Sequence, residues 1–79
     1  MTQIAIIKVG TKVRYRGCFG MDNPTEVTIE GIYRSDYKRD KEGYPVYYIP
    51  FCLREYATFS LSNGHWCYGE QIDAIVNER

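Results

Sequence analysis

Residues 11–16 read Thr-Lys-Val-Arg-Tyr-Arg, and residues 26–30 read Glu-Val-Thr-Ile-Glu. In both stretches apolar side chains alternate with polar or charged ones, which is the period of a β-strand that buries one face. Val13 and Tyr15 therefore point to one side of the first strand, and the neighbouring cations point to the other. The two stretches predict a pair of half-buried strands and favour an all-β fold.

Further β-rich stretches lie on both sides of this pair. Residues 4–7 form a short apolar run, and residues 57–61 alternate again. Residues 44–51 are rich in aromatic and β-branched side chains, but Pro45 and Pro50 cannot donate ladder hydrogen bonds. This segment is therefore predicted to be an edge strand or a short strand.

The connections carry turn signals. Asn63-Gly64 follows the strand at 57–61 and predicts a tight two-residue hairpin turn, because this pair adopts positive φ angles readily. Residues 38–43 read as a charged loop tip. Residues 70–76 fit a helical turn that runs into a short closing strand.

The length of 79 residues allows one small domain, which we expect to span residues 1–79. Five or six short strands with glycine-rich connections can curl into a small closed barrel. We therefore predict an all-β chain folded as a small SH3-like barrel, with one short helical turn near the C-terminus.

The charge balance and the cysteines restrict the environment and the partners. Ten Lys and Arg against ten Asp and Glu give a net charge of +0, so the composition does not support a chain-wide attraction to nucleic acid or to anionic lipid. The N-terminus has no secretory signal pattern, and no long apolar run follows. Three cysteines without a C-x-x-C pair suit a reducing compartment, so we expect a cytoplasmic protein with no membrane partner.

Two segments resemble known proteins. Residues 9–17, Val-Gly-Thr-Lys-Val-Arg-Tyr-Arg-Gly, together with residues 27–32, Val-Thr-Ile-Glu-Gly-Ile, resemble the opening of small SH3-like barrels. Residues 61–72 are similar to the ending of short proteins encoded by phages and prophages. The resemblance implies a compact protein that works by binding, against a host component, and it supplies no catalytic residues.

Aromatic side chains carry the main functional hypothesis. Eight Tyr and one Trp are more rings than a barrel of this size can hide, and exposed rings are frequent hot spots of protein interfaces. We therefore predict a non-enzymatic binding module that engages a protein partner through Tyr/Trp-rich loops, and the resemblance to phage-encoded proteins implies that it is a phage-encoded inhibitor of a host defence component. Strand alternation predicts that one of Tyr47 and Tyr48 is exposed and the other buried. The predicted partner contacts are Trp66, Tyr68, Phe19, Tyr47 and Tyr48.

Two other hypotheses stay open at this point. In the first, an oligomer sequesters a nucleotide-like small anion between glycine-rich loops. The residues predicted to bind that anion are Arg14, Arg16, Gly17, Gly20 and Asn23. In the second, the cations on the first strand grip single-stranded nucleic acid, although pairing with Glu26 and Glu30 on the next strand is the simpler account.

Metal and catalytic sites have little support in the sequence. The candidate zinc ligands or nucleophiles are Cys18, Cys52, Cys67 and His65. Only His65 and Cys67 lie near each other, two residues apart and hence on one face of a strand, and structural zinc ligands usually come as close pairs. We therefore predict no metal, no cofactor and no enzymatic activity.

Overall fold

The computed structural model describes residues 5–17, 23–40 and 42–76. These ranges contain eight strands and two 3₁₀ helices, which confirms the all-β prediction. In chain order the elements are β1 (Ile6–Lys8), β2 (Lys12–Tyr15), β3 (Thr25–Arg34), β4 (Tyr44–Val46), β5 (Tyr48–Pro50), η1 (Phe51–Tyr56), β6 (Ala57–Leu61), β7 (Trp66–Tyr68), η2 (Gly69–Gln71) and β8 (Ile72–Ile75).

The strands form two antiparallel sheets. The main sheet has the order β7-β6-β3-β2-β8, and β4 adds to β3, while β1 and β5 form a separate two-stranded sheet. Within the described ranges β7 pairs only with β6 and β8 only with β2, so the main sheet is open and the predicted closed barrel is wrong. Closure is not needed to shield the core, because Ile7 of β1 and Ile49 of β5 contribute fully buried side chains to it.

Strands β2 and β3 pair as the alternation predicts. Val13 lies opposite Val27, and both side chains are buried, whereas Arg14 lies opposite Glu26 on the exposed side. Strand β3 continues beyond the predicted stretch as far as Arg34. A β-bulge between Ile29 and Gly31 divides it, so that its first half pairs with β2 and its second half with β6 and β4.

One hydrophobic core lies between the inner face of the main sheet and the small sheet. Its apolar side chains come from β1, β2, β3, β5, β6, β7 and β8, so the chain becomes compact only when distant segments meet. The buried members are Ile7, Val13, Tyr15, Val27, Ile29, Ile32, Ile49, Ala57, Phe59, Leu61, Cys67 and Ile72.

The hairpin between β6 and β7 is confirmed, but its turn differs from the predicted two-residue form. Leu61 accepts a hydrogen bond from the Gly64 backbone N–H and donates one to the His65 carbonyl. Gly64 has φ of 86°, whereas Asn63 does not have a positive φ. The loop therefore has three residues with glycine in the left-handed position, and the Asn63 side chain accepts a hydrogen bond from the His65 N–H.

A bend at Tyr47 divides residues 44–50 into two short strands, each of which contains one of the prolines. Strand β4 pairs with β3 and β5 pairs with β1, so the prediction of short or edge strands is confirmed. The six-residue η1 that follows was not predicted, whereas η2 running into β8 matches the predicted turn and closing strand. In the described ranges no helix is long and apolar enough to cross a bilayer.

Candidate functional site

The outer face of strands β4, β3, β6 and β7 carries aligned aromatic side chains. Tyr33 on β3 lies opposite Pro45 on one side and Thr58 on the other, and Thr58 lies opposite Tyr68. Residues opposite each other on neighbouring strands project to the same face of a sheet. These side chains, with Trp66 and Tyr47, form what we call the aromatic face.

A cleft opens between Tyr33 and Trp66. It has a volume of about 420 Å³ and is lined by Tyr33, Thr58, Phe59, Ser60 and Trp66. Strands β3 and β7 flank β6, so the two rings stand on strands roughly 10 Å apart, twice the usual strand spacing. The result, which we call the Trp66 cleft, has two aromatic walls and hydroxyl groups from Thr58 and Ser60 along β6.

Gly31 lets the Tyr33 ring lie against its own strand. A Cβ atom at Gly31 would come within 3.3 Å of both Cε2 and the hydroxyl oxygen of Tyr33. That separation is tighter than ordinary van der Waals contact, so any larger side chain at this position would push the ring away. Gly31 therefore leaves the space that the Tyr33 ring occupies.

A second cleft lies on the other side of Tyr33. Its volume is about 430 Å³, and we call it the Tyr47 cleft. Glu30 is exposed at its edge, in the β-bulge of β3. The lining residues are Val9, Glu30, Gly31, Ile32, Tyr33, Pro45, Val46 and Tyr47.

Ion pairs join the loop that follows β3 to η1 and η2. Nε and Nη2 of Arg39 donate hydrogen bonds to the two carboxylate oxygens of Glu70, at 2.6 and 2.9 Å. The hydrogen bonds from Arg39 lower the pKa of Glu70, and the pKa of Arg39 is raised in turn. Lys38 pairs with Glu55 at 3.0 Å, which raises the pKa of the lysine.

The same loop supports the Trp66 wall. The Arg39 guanidinium lies 5.4 Å from the centre of the Tyr68 ring, within cation–π range. Tyr68 in turn meets Trp66 edge to face, with 5.1 Å between ring centres and an interplanar angle of 83°. Arg39, Tyr68 and Trp66 therefore form a packed series, so the exposed Trp66 side chain is positioned by its neighbours.

The predicted partner contacts divide between this surface and other places. Trp66 and Tyr68 are on strand β7 of the aromatic face and Tyr47 lines the Tyr47 cleft, whereas Phe19 lies outside the described residues. Tyr48 belongs to the other sheet. Tyr47 and Tyr48 are 85% and 57% exposed, so the prediction that one of them is buried is wrong. The chain bends at Tyr47 between β4 and β5, which breaks the alternation, and Ile49 takes the buried position instead.

The predicted anion-binding residues are engaged in ion pairs or lie apart. Arg14 pairs with Glu26 at 3.9 Å, which confirms the predicted cross-strand pairing for Glu26, and Arg16 pairs with Asp73 at 2.6 Å. Gly17 follows Arg16, and Asn23 is exposed ahead of β3, while Gly20 lies outside the described residues. The arginines therefore face carboxylates rather than an open anion pocket.

The cysteines and the histidine do not come together. Cys67 is buried, and desolvation raises the pKa of its thiol to about 12, whereas Cys52 is exposed. Cys18 is outside the described residues. His65 lies in the loop before β7 and is exposed, so it does not share a face with Cys67 as the spacing suggested. No three His, Cys, Asp or Glu residues cluster in a way that could hold a metal ion within 5–17, 23–40 and 42–76.

Sequence reasoning did not single out two residues of the clefts. Tyr33 was one of many tyrosines, and Glu30 was assigned only to pairing with the cations of β2. The usable signal is the run Glu30-Gly31-Ile32-Tyr33, because a glycine two residues before a tyrosine leaves room for its ring on the same face of a strand. The bulge that turns Glu30 toward the second cleft depends on pairing with β6, which no local pattern reveals.

The resemblance to short phage-encoded proteins stays a prediction, and function has to be inferred from the geometry of the two clefts. Comparison of the chain with models of protein families, with characterised proteins and with solved structures gave no match.

Proposed function

We propose that the chain is a non-enzymatic binding module that engages a protein partner across the aromatic face. The observation that carries this proposal is that two clefts of similar volume meet at one residue, Tyr33. An extended segment of a partner can place one side chain in each cleft and cross the sheet over the Tyr33 ring. Trp and Tyr anchors of this kind dominate the binding energy of many protein interfaces.

The fixed positions of the rings support binding. Tyr68, which packs against Arg39, positions Trp66, and Gly31 leaves the room in which the Tyr33 ring lies against its strand. A side chain that is already ordered loses less entropy when a partner binds, and each immobilised side chain otherwise costs roughly 0.5–1.5 kcal/mol. The exposed fractions of Trp66 and Tyr33, 50% and 40%, leave ring area that a partner can cover.

The sheet order is compatible with an SH3-like arrangement without closure. We propose that β2, β3, β6, β7 and β8 are the five strands of such a fold, and that the segment between β3 and β6 is an insertion carrying β4, β5 and η1. Following the resemblance to phage-encoded proteins, we assign the partner to a host defence component. In this proposal the chain inhibits that component by occupying its surface.

A peptide-display selection on the immobilised protein tests the binding surface directly. Peptides selected on the wild-type chain are expected to lose at least about tenfold in affinity for Trp66→Ala and for Tyr33→Ala, as hot-spot truncations do. Tyr48→Ala is the matched control, because Tyr48 is an exposed tyrosine on the other sheet. Circular dichroism of each variant separates lost binding from lost folding. Peptides that bind all three variants equally, or a selection that enriches none, would refute the proposal.

A further inference from the structure

Glu30 is a surface carboxylate without an ion pair among the described residues, as Asp36 and Glu42 are, and unlike these two it lines the Tyr47 cleft. Glu26, Glu55, Glu70 and Asp73 each pair with an arginine or a lysine. Within residues 5–17, 23–40 and 42–76 the Glu30 side chain makes no such ion pair and no hydrogen bond. Its carboxylate is exposed at the edge of a largely apolar cleft, where a cation from another molecule can approach it.

The walls of the Tyr47 cleft suit a long side chain with a cationic end. Val9, Pro45 and Val46 provide apolar surface for an aliphatic stem, and Tyr33 and Tyr47 provide ring faces. Aromatic faces attract cations, and arginine does so most often in proteins. The volume of about 430 Å³ lies at the lower end of the range for small-molecule sites, which is roughly 300–1,000 Å³.

The chain already uses this combination internally. Arg39 lies over the Tyr68 ring at 5.4 Å and donates two hydrogen bonds to Glu70. A tyrosine ring and a glutamate thus hold an arginine by stacking and by a bidentate ion pair, an arrangement that the planar guanidinium favours over the lysine ammonium. The Tyr47 cleft presents the same two components, tyrosine and glutamate, and its lining within the described part of the chain includes no lysine or arginine.

We propose that the Tyr47 cleft takes an arginine side chain of the partner, with its guanidinium stacked on a tyrosine ring and paired with the Glu30 carboxylate. This inference rests on the proposed function and specifies the chemistry of the partner. The partner segment then carries an arginine at the position that crosses β4, next to the side chain that enters the Trp66 cleft.

Titration of the 15N-labelled chain with a capped Gly-Arg-Gly peptide tests the arginine site, with capped Gly-citrulline-Gly as the uncharged control of the same shape. The arginine peptide is expected to shift the amide resonances of Gly31, Tyr33 and Tyr47 and to bind about tenfold or more tightly than the citrulline peptide, since hydrogen bonds to charged groups are the stronger ones. Glu30→Gln should reduce the affinity for the arginine peptide to that for the citrulline peptide. Tyr48→Ala should leave its affinity unchanged.

Several outcomes separate this inference from the proposed function. Equal affinity for the two peptides, no shift of these resonances at saturating peptide, or an unchanged affinity of Glu30→Gln overturns the arginine site. Display-selected peptides that depend on Trp66 and Tyr33 but carry no arginine would also overturn it, while leaving the binding module in place. Conversely, arginine binding at Glu30 without any Trp66-dependent peptide would refute the module and keep the arginine site.

Discussion

The contact between η1 and η2 allows a sharp prediction for Gly69→Ala. Gly69 is buried, and a Cβ atom there would lie 1.6 Å from the carbonyl oxygen and 2.3 Å from the carbonyl carbon of Arg54. These are backbone atoms, so they cannot rotate away as a flexible side chain would. Either the two 3₁₀ helices separate or the substituted chain does not fold.

The expected loss of stability follows from the contacts that are disturbed when η1 and η2 move apart. Arg54 donates hydrogen bonds to the carbonyl oxygens of Phe51 and Ile72 and stacks on the Phe51 ring at 4.0 Å, so it joins η1 to the start of β8. Overpacking a well-packed site costs typically 1–3 kcal/mol, and the rigid neighbour places this substitution near about 3 kcal/mol. A chain of this length has a stability of about 4–12 kcal/mol.

Thermal unfolding followed by circular dichroism measures this loss. A cost of about 3 kcal/mol corresponds to a decrease in Tm of about 12–24 °C for a domain of this size. Gly64→Ala is the matched control, because a Cβ atom there meets nothing within 4 Å and only the positive φ of 86° opposes it. That strain costs about 1–2 kcal/mol. A decrease for Gly69→Ala that is no larger than for the control would show that the two helices are not packed as described.

Three further predictions concern the site and the ionisable groups. Trp66→Ala should lower the free energy of unfolding, measured with urea, by only about 2 kcal/mol, because the ring is half-buried and makes one edge-to-face contact. A variant that does not fold would instead place Trp66 in the core. Iodoacetamide at pH 8 should label Cys52 and spare Cys67 in peptide mass maps, because burial raises the pKa of the Cys67 thiol to about 12. Equal labelling of the two cysteines would contradict that burial. Arg39 lowers the pKa of Glu70 in the folded chain. The ion pair therefore stabilises the fold at pH values above the unfolded pKa of Glu70, and this stabilisation is lost as the pH falls through the folded pKa. Glu70→Gln should therefore be slightly less stable than the wild type at pH 7 in urea titrations, and this difference should shrink as the pH falls below the unfolded pKa of Glu70. A difference that does not change with pH would exclude the ion pair as its source.

Local patterns predicted most of the strand positions but not the full length of β3 or the arrangement of the strands. Alternation identified β2 and β6 and the first half of β3, and two prolines marked β4 and β5 as short. The register of two paired strands follows from which of their residues are apolar, so the sequence pattern is sufficient to place Val13 opposite Val27. Whether the main sheet closes depends instead on which distant segment covers the core, and the coverage by β1 and β5 has no local signal.

The candidate site was predicted in part for a related reason. Trp66, Tyr68 and Tyr47 could be named because the chain has more aromatic rings than a fold of this size can bury, and exposed rings are frequent hot spots of protein interfaces. Tyr33 and Glu30 acquire their roles only through the bulge in β3 and its pairing with β6 and β4. These are contacts between residues far apart in the chain, and a single sequence without tertiary structure does not encode them in any spacing.

The length of β3 has a consequence for the way the fold opens. Its ten residues hydrogen-bond to β2 before the bulge and to β4 and β6 after it. One strand therefore belongs both to the part of the sheet that carries the two clefts and to the part that carries β2 and β8. Separate units of a protein can exchange their amide hydrogens through independent local openings. A shared central strand couples those openings, so amides on both sides of Gly31 are expected to exchange with solvent at similar free energies. The binding surface is then protected as strongly as the core beneath it.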